Sequence, residues 1–394
     1  MRNRRDVLIF AVPFALMLAL CASPSHGAVV GGIDAGSGNL SAQQAPEMLY
    51  GFPLTLRLNI AVTAAIDPTS GGFSTVSTGL VPLFANSPAV AMDSRYLYVS
   101  NSYIEGMPYN GSQILGYSIN ASDGTLTAIS ASPTFPPPSS IQGLATTPGG
   151  NFLYGADVSG CIYGFRVENR TGTLTSIPGS PFPSGANPQL AVDPKGRFLY
   201  AAHDGSPSGI FAFAIGSNGE LTPVPGSPFP VLGSTISPNS EPYGIVDTGR
   251  FVYVALSATN QVAAFSVDDG NGALTPVPGS PFQTGIGPTF LASIKDFLYV
   301  VNTFDGSISG YRRDRRSGAL TPVPGSPFGS DGGAIAIDPA GRYLYLGRGN
   351  GIQSYNIDSH SGSLTLGSEW FVEDGVLGLT IVKLHEMRNL SRER

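Results

Sequence analysis

Short apolar or alternating runs, broken by Gly, Ser, Asn and Pro, follow one another along the chain, and no long stretch keeps the three-and-four spacing of a helix face. Ile210–Ile215 and Val262–Val267 have the length and flanks of buried strands. One apolar phrase recurs: Tyr96-Leu97-Tyr98, Phe152-Leu153-Tyr154, Phe198-Leu199-Tyr200, Phe251-Val252-Tyr253, Phe297-Leu298-Tyr299 and Tyr343-Leu344-Tyr345. The spacings of its second aromatic are 56, 46, 53, 46 and 46 residues. A unit of about 46 residues is the size of a four-stranded propeller blade.

A second phrase keeps step with the first. Leu-Thr-Pro-Val-Pro-Gly-Ser-Pro-Phe stands at 221–229, 274–282 and 320–328, with a variant at 174–182. Residues 187–229 therefore parse as strands Leu190–Asp193, Phe198–Ala202, Ile210–Ile215 and Leu221–Val224, with Pro194-Lys195-Gly196 and Gly216–Gly219 as turns. Prolines in the trailing Pro-Gly-Ser-Pro-Phe cannot donate to a ladder, so the phrase is expected to end the outer strand and leave Phe182, Phe229, Phe282 and Phe328 to pack between blades.

Six copies leave an unpartnered run, Val376–Val382, that reads as one more inner strand. At the other end, Leu54–Val62 alternates, and residues 66–76 mimic the hairpin between the last two strands of a blade. The expected fold is all-β: a seven-bladed propeller of four-stranded antiparallel blades, closed by a composite blade built from both ends of the chain, with six blades as the alternative. Joining the ends removes exposed sheet edges.

The chain has 51 Gly, 33 Pro and only 12% charged residues, which suits a strand-and-turn fold. Residues 1–27 read as a secretory signal peptide: Arg2, Arg4 and Arg5 precede the apolar run Val7–Leu20, and small residues precede a cut at Ala28. That run is too short to span a bilayer as a helix. Arg4-Arg5 also fits a twin-arginine signal, and Cys21 sits in a poor lipoprotein box. Residues 28–47 are a linker, 48–384 the propeller and 385–394 a charged tail. The expected product is an exported monomer, periplasmic or extracellular, with no transmembrane segment after cleavage. Cys161 is then the sole cysteine, so no internal disulfide can form; it is read as a small buried hydrophobe. The formal charge of −6 becomes about −8 after cleavage and argues against a nucleic-acid partner. The basic run Arg312-Arg313-Asp314-Arg315-Arg316 falls on a hairpin turn.

The position three after each repeated tyrosine holds Asn101, Asp157, His203, Leu256, Asn302 and Arg348, a largely polar ring following near-identical strands. Asn187, Gln189, Glu241 and Tyr243, which enter inner strands, should join the same rim. His203 could act as general base on water, Asp157 or Glu241 could orient it, and Arg348 could hold an acidic or carbonyl oxygen. No resident cofactor or metal is expected. Asp157, Glu241, Asn101 and Asn302 are the residues a hard cation such as Ca²⁺ would use, without a compact acidic loop to support it. His360 lies in a hairpin turn and His385 in the tail. The sequence has no Gly-x-Ser-x-Gly elbow, His-Glu-x-x-His motif or P-loop.

Asp193-Pro194-Lys195-Gly196-Arg197-Phe198-Leu199-Tyr200, followed by an Ile/Phe strand and a Gly-x-Leu-Thr hairpin, resembles the lactonase-type seven-bladed propellers, including 6-phosphogluconolactonase-like enzymes and YVTN-repeat proteins. The resemblance spans about 48–384. It implies that any active site lies at the channel mouth, where histidine, arginine and carboxylates would act on a lactone ester. Enzymes of that family tend to carry a Pro-His pair entering an inner strand, where this chain has Pro88-Ala89, Pro188-Gln189, Pro242-Tyr243 and Pro288-Thr289. Asp157-Val158-Ser159 is a near match to the family's Asp-Leu-Gly. Two classes stay open: a propeller that binds a carbohydrate, a small molecule or an envelope protein, and a hydrolase of sugar or signalling lactones.

Overall fold

The computed structural model describes residues 47–53, 60–80, 87–88, 95–101, 112–129, 134–135, 141–185, 189–203, 209–231, 242–372 and 376–383. They form seven antiparallel sheets, arranged as the blades of a propeller. Blade 4 gives the pattern: Gln189–Val192 innermost, then Phe198–His203, Gly209–Ile215 and Leu221–Pro223. Blades 2, 3, 5, 6 and 7 repeat it, with second strands Tyr96–Asn101, Phe152–Asp157, Phe251–Leu256, Phe297–Asn302 and Tyr343–Arg348. Each inner strand touches the next around the ring, and Val376–Lys383 touches the inner strands on both of its sides.

Blade 1 is composite, as the sequence suggests, but its parts differ in detail. Its inner strand is Val376–Lys383, and Glu47–Pro53, Ile60–Ile66 and Phe73–Leu80 follow outward. Sequence reading placed a strand at Leu54–Val62 and overlooked Met48-Leu49-Tyr50, which is a seventh copy of the aromatic phrase. Residues 54–59 lie outside the described residues.

Tyr50, Tyr98, Tyr154, Tyr200, Tyr253, Tyr299 and Tyr345 are all fully buried. Each phenol donates to a glycine carbonyl in the next blade's outer hairpin: Gly124, Gly172, Gly219, Gly272, Gly318, Gly362 and, closing the ring, Gly71. All seven glycines have φ between 67° and 88°, a region that favours glycine. A Cβ at Gly318 would stand 2.4 Å from the Phe251 ring of the preceding blade. The Gly-x-Leu-Thr hairpin therefore serves the neighbouring blade: its glycine takes the tyrosine proton donor and presses on the first aromatic of the same phrase.

The outer strand ends at the start of Pro-Gly-Ser-Pro-Phe, as expected, but the chain does not leave the blade there. After the turn the ladder resumes, pairing Phe182 with Ile162, Phe229 with Ile210, Phe282 with Val262 and Phe328 with Ile308. Each serine closes the gap, accepting a third-strand N–H at 2.8–2.9 Å: Gly164 to Ser180, Ala212 to Ser227, Ala264 to Ser280 and Gly310 to Ser326. The interruption lets the strand step around its prolines. The phenylalanines do pack between blades: Phe182 sits with Tyr154 and Ile162 of blade 3 and Phe213 of blade 4.

Cys161 is half-buried rather than buried, opposite Pro183. The expected signal peptide with Cys21, the expected tail with His385, and all of the expected linker but Glu47 lie outside the described residues. No described helix is long and apolar enough to cross a membrane.

Candidate functional site at the upper rim

Second strands all run toward one face, so their last residues ring that face beside the loops that enter the inner strands. There Asn101, Asp157, His203, Leu256, Asn302 and Arg348 end their strands, as the repeat spacing predicts. Glu241 and Asn187 lie outside the described residues. Gln189 and Tyr243 fall on the inner strands of blades 4 and 5, and Gln189 is half-buried opposite Ala202.

The polar rim residues are bound into the scaffold. Asp157 is fully buried and accepts from Ser159 Oγ on both carboxylate oxygens, at 2.8 and 2.7 Å, and from the Cys161 N–H at 2.9 Å. It braces the tight turn between two strands of blade 3. Arg348 forks onto Asp331, with Nη2–Oδ2 at 2.7 Å, and also pairs with Glu369. These partners hold the guanidinium pKa above its usual value, Asp331 first. Two carboxylates on one cation leave little positive field for a substrate oxygen. His203 is buried against the Phe211 ring, 5.0 Å between centroids, and its imidazole lies over Gly185, where a Cβ would come within 2.1 Å of the ring. Asp157, His203 and Arg348 belong to blades 3, 4 and 7, so Arg348 is three blades from either partner, the largest separation a seven-membered ring permits.

Blade 6 is built differently. Asn302 is fully buried and accepts from Thr284 Oγ1 at 2.7 Å while its amide donates to Ser307 Oγ and Ser309 Oγ, both at 2.9 Å. Asp305 accepts from the Ile286 N–H and Ser307 Oγ, and Asn260 from blade 5 accepts from the Gly287 N–H at 2.9 Å. This web fixes the 284–287 and 302–306 loops and lifts apolar side chains into solvent. Ile286 is 54% exposed, Phe304 66% and Phe290, on the inner strand, 42%. Phe304 lies over Gly287, where any Cβ would strike its ring. The usual order is inverted here, with polar groups inside and apolar ones outside.

Sequence reading did not find Ile286, Phe290 or Phe304, because it searched the rim for polar residues. A signal was available: Phe304 interrupts the loop after a strand shared by every blade. Among the described residues no group of three or more His, Cys, Asp or Glu side chains is arranged to hold a metal ion.

No curated protein matches the chain. Residues 243–328 match the family model described as lactonase, 7-bladed beta-propeller. The matched stretch spans blades 5 and 6 of a seven-bladed propeller. The propeller is similar in structure to the periplasmic gluconolactonase of Pseudomonas aeruginosa, with TM-score 0.72 and 19% identity over 86% of this chain and 99% of that one. A putative 6-phosphogluconolactonase from Bacteroides fragilis matches with TM-score 0.70 and 20% identity, covering 87% and 100%. A similar protein from Bacteroides uniformis gives 0.72 and 19%, covering 86% and 100%. At these identities the likeness is one of fold, and function has to be argued from the site.

Proposed function

We propose that this chain is an exported propeller that binds a carbohydrate or similar small ligand on the blade 6 rim, at the mouth of the channel. One observation carries the reading: Asp157 and Arg348, the acid and the cation a lactone hydrolase would need, are each spent on partners within their own blade or its connection, while blade 6 holds Ile286, Phe290 and Phe304 exposed above a fully bonded polar base. Exposed rings beside Thr289, Thr303 and Asp305 offer a sugar both an apolar surface and hydrogen-bonding groups. The loops need no ordering on binding, because their backbone is already bonded.

A second reading is supported by the fold: one similar structure is described as a periplasmic gluconolactonase and another as a putative 6-phosphogluconolactonase. A hydrolase acting on sugar lactones would then use the same channel mouth, with His203 as base. The two readings part in one experiment. Protein beginning at Ala28 is tested for hydrolysis of a lactone panel, with and without Ca²⁺, and for retention by immobilised oligosaccharides. Oligosaccharide retention lost in Phe304→Ser, with no turnover, supports the binding reading. Turnover lost in His203→Ala and kept in Phe304→Ser replaces it with the hydrolase.

A further inference from the structure

The last residue of each third strand is aliphatic and inward in six blades: Ile66, Ile119, Val167, Ile215, Val267 and Ile357. Blade 6 has Arg313 there. Its backbone keeps the common bond, the N–H donating to Asp296 O as Ile357 N–H donates to Arg342 O. The guanidinium enters a place built for a methyl group. It packs 5.8 Å from the Tyr253 ring centroid and gives one N–H to Lys295 O, while its Nε is buried without a partner.

This side chain lines a cleft of about 430 Å³ with Asp296, Arg312, Asp314, Arg315 and Arg316, at the base of blade 6 and away from the rim. That volume is in the range of small-ligand sites. Four guanidinium groups face two carboxylates, in a chain whose formal charge is −6. Asp296 is bonded by Arg315, and one oxygen of Asp314 is held by the turn N–H groups of Arg316 and Ser317. Arg316 is exposed and makes no ion pair among the described residues. Blades 2, 4, 5 and 7 hold Arg95, Arg197, Arg250 and Arg342 where blade 6 has Asp296, and each reaches a carbonyl of the next blade's hairpin. In blade 6 that duty passes to Arg312, which bonds His360 O. The scaffold's need for arginine is thus met by Arg312, and Arg313, Arg315 and Arg316 are additional.

We propose that the base of blade 6 is a second ligand site, taking the oxyanion of a small phosphorylated, sulfated or carboxylated molecule. Guanidinium groups suit such anions because their donors match two oxygens at once. The site does not depend on what the rim binds. Calorimetric titration of the protein beginning at Ala28, at low ionic strength, uses sodium phosphate, sodium sulfate and sodium galacturonate as separate probes, which distinguishes the three sources. One probe is expected to bind at 1:1, with affinity falling at least tenfold in Arg313→Ile, the residue type of blades 1, 2, 4 and 7. Arg316→Ala, on the open side of the cleft, should lose about threefold and checks the site even if Arg313→Ile fails to fold. The proposal is overturned if no probe binds, if a folded Arg313→Ile binds as tightly as wild type, or if all three probes bind equally and Arg316→Ala changes nothing.

Discussion

The two faces of this propeller obey opposite rules. On the lower side, one contact is made seven times: a buried tyrosine bonds a glycine carbonyl of the next blade, and that glycine lies against an aromatic ring in six cases and against Met48 in the seventh. On the upper side, the seven second strands end in six different residue types. Asp157 braces a turn, Arg348 is clamped by two acids, and Asn302 supports an apolar platform. Repetition records what closes the ring, and departures from it are where a ligand can be accommodated. The basic cleft shows that the lower face carries one departure of its own.

Breaking the lower-face stitch should have the largest effect. Gly318→Ala forces a Cβ against Phe251 at positive φ and is expected to cost more than about 3 kcal/mol, read as a large fall in thermal midpoint. Gly149→Ala has a similar φ of 78° with nothing within 4 Å, so it should cost only about 1–2 kcal/mol. Equal losses would mean that backbone strain, and not contact between blades, dominates.

Asp247 comes next. In blades 4 and 7 the matching acids, Asp193 and Asp338, are paired with Arg197 and Arg342. The blade 5 turn is one residue shorter, and Asp247 keeps one carboxylate oxygen buried without a partner. Burial pushes its pKa up to about 6. The folded form therefore holds a proton that the unfolded form releases near 4, so this group destabilises the fold progressively as pH rises from about 4 to 6. Asp247→Asn should remove that slope and gain about 2 kcal/mol at pH 7, measured by denaturant titration across pH. A variant less stable than wild type at pH 7 would show the charge to be satisfied.

Tyr253→Phe leaves the Gly318 carbonyl short of a donor and should cost about 1–2 kcal/mol. Paired with Tyr50→Phe in a distant blade, the losses should add. The smallest effect on stability belongs to the rim: Phe304→Ser should change unfolding free energy by under about 0.5 kcal/mol while abolishing oligosaccharide retention. A large stability loss there would make Phe304 a packing residue.

Blade number, closure and hairpins were legible because they rest on patterns of period two and about 46, and turn chemistry repeated with them. Met48-Leu49-Tyr50 escaped notice because methionine replaces the leading aromatic, although its contact with the Gly124 hairpin is the same. The return to the ladder after Pro-Gly-Ser-Pro was not legible, because the proline rule ignores a serine hydroxyl that can accept the stranded N–H. At the rim, the sequence placed Asp157, His203, Asn302 and Arg348 at the right strand ends. It could not say which way each side chain turns, and that direction separates a brace from a catalyst.

The ring closes through residues far apart in the chain. Tyr345 bonds Gly71 across 274 positions, and Arg342 pairs with Glu47 across 295. During synthesis, three strands of blade 1 wait without their inner strand until Val376–Lys383 emerges, so the disc can close only after the six other blades have been made. The ring stays open until then, and Val376–Lys383 acts as the latch.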